Sequence, residues 1–337
     1  MSRTLSVKKK VFFSAIVIVG FVSTAEITCR LFKLGTPLIF APIGSIYDLH
    51  RTDPELLWDG EFYVLDQKMA GPGNPINPDG MRDREHAIAN PTDATRIACL
   101  GDSVTYGYLL PAWESYSALL EMKLRKLGRK VEVFNIAIFG WSTQQQRIAY
   151  QRIARKYRPD YVVLGICLND IAEMQNNFSQ PPQTIGWLYQ RSYLIRFIVG
   201  AHRREIRLID ELFEVPEPPK VQEAWRLIFN ELTTLANEVH ADGAELIVLV
   251  FPFRYQTMEG APEPRPQRSI ESFCADKGLP FVDALPVLEP YGYDGFVDYD
   301  HLSLKGAESI ADHLIDTGLF QFDVVPKDDV VPNASPE

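Results

Sequence analysis

Four short, almost wholly apolar runs, at residues 97–100, 131–134, 160–167 and 244–251, alternate with stretches of helical periodicity, and nothing else in the chain constrains the fold as strongly. Each run is too short for an ordinary helix and none alternates apolar with polar residues, so each reads as a strand buried on both faces. Buried strands joined by helices make a parallel sheet covered on both sides. Tyr116, Leu119, Leu120, Met122 and Leu124 fall broadly on one helical face that ends near Gly128, and further helices are expected over residues 144–157 and 221–240. A weaker fifth strand is expected at 280–282 after a helix at 267–277. Leu304, Ala307, Ile310, Ala311 and Leu314 then mark a closing amphipathic helix with Ser303 as its N-cap. The expected fold class is α/β, with a parallel sheet of about five strands.

Chemistry gathers where these strands end, at the carboxyl edge where open α/β sheets bind their ligands. Within RIACLGDSVTYGY (residues 96–108) the first run breaks into Gly101, Asp102 and Ser103; the second leads to Gly140, the third to Asn169, and a fourth turn, Asp298-Tyr299-Asp300-His301, precedes the closing helix. Acyl transfer needs a nucleophile, a base within hydrogen-bond reach, a group that orients the base, and donors aimed at the developing oxyanion. Ser103 would attack and His301 would take its proton. Asp298, three residues earlier in a turn, can hold the other ring nitrogen, whereas Asp300 is expected to point elsewhere. The backbone N–H groups of Ser103 and Gly140 and the side-chain amide of Asn169 would form the oxyanion hole, glycine letting the backbone approach closely. Each residue also has an ordinary structural reading: a helix cap for Ser103 and Asn169, a turn residue for Gly140 and Asp298, a structural histidine for His301. Their coincidence at the ends of successive strands favours the chemical reading. Trp141 and Tyr106, with Tyr108, lie beside these turns and suit either stacking on a sugar ring or plain packing.

Four blocks, GDSVTYG at 101–107, NIAIFG at 135–140, GICLND at 165–170 and DYDH at 298–301, together resemble the SGNH, or GDSL-type, hydrolase superfamily over about residues 96–319. The resemblance implies a three-layer α/β/α sandwich of flavodoxin-like type that hydrolyses acyl esters without a cofactor, through a Ser103-His301-Asp298 triad. Val104 replaces the leucine that gives GDSL its name. The nucleophile elbow G-x-S-x-G is absent, because Thr105 stands at its second glycine, and no G-x-G-x-x-G or Walker A loop occurs. The expected function is a serine esterase acting on a small acyl group, acetyl on an envelope or extracellular glycan first. An O-acyltransferase using the same site, a lipase with the apolar stretch 187–199 as a lid, and a non-catalytic binding or assembly protein on the same scaffold are the alternatives.

At the amino terminus Arg3, Lys8, Lys9 and Lys10 precede an apolar run over residues 11–25 that Glu26 ends. Residues 1–34 read as a cytoplasmic stub and retained membrane anchor, with a signal peptide cleaved near Ser23, Thr24 and Ala25 as the other reading. The basic cluster before the run leaves the amino terminus in the cytoplasm and exports the bulk of the chain. With Asn77, Gly80 and Arg82 in an N-x-x-G-x-R turn, this resembles the membrane-tethered bacterial members. Residues 35–95, rich in proline and glycine, read as a linker with short strands and turns, in which Met81 and Arg82 form a short edge element. Residues 171–220 interrupt the alternation as a helical insertion, which is a core helix, a lid or a membrane-facing surface, and 320–337 as a frayed tail. A net charge of −10 offers no footprint for nucleic acid. Cys29, Cys99, Cys167 and Cys274 are scattered without metal-ligand spacing, so no metal or cofactor is expected and the thiols read as buried and inert.

Overall fold

The computed structural model describes residues 6–32, 56–58, 62–175, 192–195 and 211–322 of the 337. The end of the expected anchor (33–34), part of the expected linker region (35–55 and 59–61 of 35–95), the greater part of the expected insertion (176–191 and 196–210) and most of the expected tail (323–337) lie outside the described residues. The chain divides into two compact units, one of residues 1–49 and 176–208, the other of residues 50–175 and 209–337.

In the first unit, helix α1 spans Val7–Leu31, 25 residues, and so runs past the acid at which the apolar run stops. Glu26 does not end the helix, because its carboxylate is fully engaged. It pairs with Arg30 one turn on at 2.7 Å and accepts hydrogen bonds from the Ser192 hydroxyl at 2.7 Å and the N–H groups of Tyr193 and Leu194 at 3.1 and 2.8 Å. Twenty-five helical residues extend roughly 37 Å at about 1.5 Å each, beyond the ~30 Å hydrocarbon core of a bilayer. Phe12, Ile16, Val17 and Phe21 are exposed along it. By length and composition it is one helix able to cross a membrane, a test that a signal sequence also passes.

In the second unit, β1 (Leu56–Trp58) and β2 (Tyr63–Leu65) form an antiparallel pair. The main sheet contains β3 (Thr95–Gly101), β4 (Val131–Ala137), β5 (Tyr161–Cys167), β6 (Glu245–Phe251) and β7 (Phe281–Asp283), all parallel, in the order β4-β3-β5-β6-β7. This is the flavodoxin-like order 2-1-3-4-5, whose switch point lies at the carboxyl ends of β3 and β5, where the chain reverses direction across the sheet. β5 is buried at all seven positions, which explains its unbroken apolar run; each such aliphatic side chain contributes about 1.5–3 kcal/mol.

The helices follow the strands. A single turn, α2 (Ser103–Tyr106), succeeds β3; α3 (Tyr116–Lys126), α4 (Thr143–Arg152), α5 (Leu168–Gln175), α6 (Pro219–Ala241), α7 (Arg265–Lys277), α8 (Leu285–Leu288) and α9 (Leu304–Asp316) complete the layers. α3 packs on α9, and α6 packs on α4 and α5, giving helices on both faces of the sheet. The helix expected over 144–157 is shorter than its pattern. Gln145 caps its start by accepting the Ser142 N–H at 3.0 Å, and after Arg152 the chain tightens into a 3-10 turn, Ala154–Tyr157. α6 and α7 begin about two residues before their periodicity because proline in the first turn needs no hydrogen-bond acceptor. The tail boundary also shifts: Phe320 is buried edge-on against Tyr161, and the Gln321 N–H donates to the Tyr161 hydroxyl at 2.8 Å.

Candidate active site

Two glycines set the nucleophile turn. Gly101 and Gly165 are register partners in β3 and β5, and a Cβ on either would run into the Thr105 hydroxyl; at Gly165 it would also press on the Phe251 ring. Thr105 can therefore sit directly on the sheet and draw α2 down with it. Asp102 caps this turn, its Oδ1 accepting the Val104 N–H at 2.9 Å, and Tyr108 N–H closes on the Ser103 carbonyl at 3.0 Å. Ser103 is thus the first residue of a helical turn, where the backbone N–H has no intrahelical acceptor. Gly140, at φ +75°, lies in the loop after β4. Among the described residues neither the Ser103 nor the Gly140 N–H donates to a protein acceptor.

Arg82 holds this loop from behind. Its guanidinium donates to the carbonyls of Tyr106 (3.1 Å), Gly107 (3.0 Å) and Leu110, its Nε to Asn74 at 2.7 Å, and it stacks over the Tyr106 ring at 4.6 Å. Met81 and Arg82 consequently belong to no strand, contrary to the edge element expected from the sequence: the arginine satisfies carbonyls that no sheet reaches. Asn135 donates to Thr105 O and Ser117 Oγ, both at 2.9 Å, which ties the second block to the first.

The histidine arrives from the far end of the chain. A bridge between Phe296 and Leu302 closes its turn, with Val297 N–H on His301 O at 2.9 Å. Asp298 uses one oxygen to accept the N–H groups of His301 (2.9 Å) and Asp300 (3.2 Å), and the other lies 2.7 Å from His301 Nδ1. His301 Nε2 lies 2.9 Å from Ser103 Oγ. The structure therefore brings Ser103, His301 and Asp298 into one hydrogen-bonded chain, with the Tyr108 ring 4.8 Å from the imidazole. Burial opposes ionisation of Asp298, but the His301 hydrogen bond and charge outweigh it and hold the carboxyl below its usual range. Burial would also lower the pKa of His301; the carboxylates of Asp300, Asp298 and Asp102 override it and raise it.

The remaining candidates are placed differently from one another. Asn169 lies in the first turn of α5, and its Nδ2 donates to Asp300 Oδ2 at 3.3 Å. Asp300, expected to point away, points in: it is 0% exposed and its Oδ1 stands 3.0 Å from His301 Nδ1. Trp141 is 0% exposed, with Phe62 at 4.9 Å and its Nε1 donating to Tyr63 O at 3.2 Å, so it has no ring face for a sugar. Tyr106 is buried between Arg82 and Phe139, again packing rather than a platform; Tyr108 stays half-buried beside the histidine. Two roles that sequence reasoning missed are that of Arg82, whose signal was the N-x-x-G-x-R turn, and that of Asp300, whose signal was the second acid of DYDH. Asp298, Asp300 and His301 also gather three ligand atoms within 4.8 Å. Two of those distances, 2.7 and 3.0 Å to one ring nitrogen, are proton-sharing lengths, too short for ligands spread around a cation at ~2.1 Å from each. All four cysteines are buried, and burial pushes the Cys99 and Cys167 thiols up, as inert groups require.

Such an arrangement can pass a proton from a serine hydroxyl to an imidazole whose other nitrogen is held by a carboxylate, the requirement for nucleophilic attack on an acyl carbon. Comparison with curated protein sequences gave no match. Among solved structures the chain is similar to an acetyl xylan esterase, AlAXEase (14% identity, covering 66% of this chain and 98% of that one, TM-score 0.45). It is similar also to a catalytic mutant of the acetylxylan esterase Axe2 from Geobacillus stearothermophilus (15%, 67% and 95%, 0.46) and to TesA (15%, 66% and 97%, 0.44). The family model of the GDSL-like Lipase/Acylhydrolase family matches residues 99–308, from the strand before Ser103 into the helix after His301. Because that match covers more than half of the sequence, the chain belongs to the GDSL-like lipase/acylhydrolase family and is an ester-hydrolysing enzyme.

Proposed function

We propose that the protein is a serine esterase that removes a small acyl group, acetyl before others, from an envelope or extracellular glycan, with α1 retained as a membrane anchor and the catalytic domain on the outer side. The observation that carries the catalytic part is the unbroken path from Ser103 Oγ through His301 to Asp298, 2.9 and 2.7 Å long. Ser103 Oγ attacks the ester carbonyl as its proton passes to His301 Nε2, and Asp298 stabilises the imidazolium formed. The N–H groups of Ser103 and Gly140 and the amide of Asn169 receive the oxyanion. Collapse returns the proton to the leaving alcohol. Water, deprotonated by the same imidazole, then releases the acid.

The test is hydrolysis of p-nitrophenyl acetate, butyrate and octanoate by the full-length protein in detergent, with Ser103→Ala alongside. Serine-dependent turnover that falls with chain length is expected; preference for octanoate would replace the acetyl reading by a lipase. Turnover only after a sugar acceptor is added would turn the esterase into an acyltransferase, which shares the first half-reaction.

A further inference from the structure

Asn169 and His301 are both held by a residue that the proposed triad leaves out. The Asp300 carboxylate is completely buried; Oδ2 accepts the Asn169 Nδ2–H at 3.3 Å and stands 3.8 Å from Cys167 Sγ, and Oδ1 stands 3.0 Å from His301 Nδ1. Oδ1 has no aligned donor, since Asp298 at 2.7 Å takes the Nδ1 proton. The other end of the Asn169 amide, Oδ1, is buried with no partner among the described residues. Nothing else described therefore decides which end of this amide faces which way. Of the two ends of the amide only the N–H end can meet an ionised carboxylate, so while Asp300 is ionised the amide nitrogen is held beside it with the second N–H available as a donor. A protonated Asp300 would instead donate to the amide oxygen, and the amide would turn over.

We propose that Asp300 is a positioning residue: one buried carboxylate sets the orientation of the Asn169 side-chain amide and braces the imidazole of His301, joining the base to the oxyanion donor. This role rests on the serine-esterase reading above. The groups that face Asp300 come from three places at the sheet edge: Asp102 after β3, Cys167 at the end of β5 with Asn169 and Asp170 in the first turn of α5, and Asp298, Tyr299 and His301 in its own turn. Burial pushes the Asp300 carboxyl up to about 7, with Asp298 and Asp102 adding to it against the pull of His301, so its ionisation changes near neutrality.

Asp300→Asn keeps the shape and removes the charge. Losing an anion beside Nδ1 makes the imidazolium less stable, so the acid limb of kcat/KM should move to lower pH by about one unit. Loosening of Asn169 should lower kcat about tenfold, less than outright loss of an oxyanion donor, with KM little changed. In the Asp300→Asn, Asn169→Ala double variant the losses should fall short of the product of the single ones. An unmoved pH limb together with multiplying losses would reduce Asp300 to a packing residue. If the wild-type protein hydrolyses no ester, the esterase reading fails by itself, and Asp300 is judged on 15N-histidine NMR: a lower His301 midpoint in Asp300→Asn supports it, an equal one overturns it. If the variant does not fold, the Asn169 side-chain amide signal of the wild type, assigned by its loss in Asn169→Ala, is followed with pH. Movement with a midpoint near 7 supports the role, and a flat signal overturns it.

Discussion

The second unit contains two buried histidines in the same D-x-x-H spacing, Asp83-Arg84-Glu85-His86 and Asp298-Tyr299-Asp300-His301, and their surroundings differ. His86 Nε2 lies 2.9 Å from Asp83 and its Nδ1 lies 2.8 Å from Glu132, which also accepts from Arg96 at 3.0 Å. A carboxylate at each nitrogen favours the imidazolium, in which both carry hydrogen. Burial opposes this, but the Asp83 and Glu132 contacts raise the pKa. Its ring rests on Phe134 at 4.3 Å, and Asp83 also accepts the Asn135 N–H at 2.8 Å, pinning residues 83–86 to β4. His301 differs in one respect that matters: Nε2 faces a hydroxyl instead of a second acid. A histidine clamped by acids at both ends is a structural cation, and one whose free end meets a serine can cycle a proton.

That contrast fails or holds on measurable effects. Ser103→Ala removes the hydroxyl that distinguishes His301, and turnover should fall about 10⁵- to 10⁶-fold with the melting temperature nearly unchanged; a large loss of melting temperature would make Ser103 a structural cap. Asp298→Asn should lower kcat about 10⁴-fold in a folded protein, since the wrong tautomer is then favoured. Asp83→Asn, the matched change, should leave kcat within a few-fold. Equal effects of the two on kcat would erase the distinction.

His86→Leu takes the buried ring from between two half-buried acids and should cost about 1.5–3 kcal/mol in denaturant unfolding, with the folded fraction retaining its kcat. Asn169→Ala should lower kcat about 10²- to 10³-fold, roughly 3–4 kcal/mol, more than it raises KM. The smallest effect is on pH. His86 has a raised folded pKa, so its contribution is fully present below the unfolded histidine value of about 6.5 and is lost as pH rises through the folded one. Wild-type stability measured by denaturant should therefore decline with rising pH more steeply than that of His86→Leu; parallel curves would mean that the ring is neutral when folded. In the same direction, the raised pKa of His301 places the acid limb of wild-type kcat/KM above the ordinary histidine range.

Local pattern and long-range contact divided the information in this chain. The strands were legible because a strand buried on both faces must be apolar at every position, as β5 is, and the helices because one face of each is buried. The four blocks were legible because parallel strands deliver their ends to one edge, so Ser103, Gly140, Asn169 and His301 could be assigned to that edge before any contact was known. The helix of α1 was legible as apolar but not in length, since Glu26 is held by residues about 166 positions away. Which nitrogen of a histidine meets which oxygen lay beyond sequence. Ser103 and His301 are 198 residues apart, and the two D-x-x-H turns are indistinguishable by spacing. Only the packed structure decided that Trp141 and Tyr106 face inward, that Arg82 serves loop carbonyls, and that Asp300 turns toward the imidazole, because each depends on what other elements leave unsatisfied once they come together.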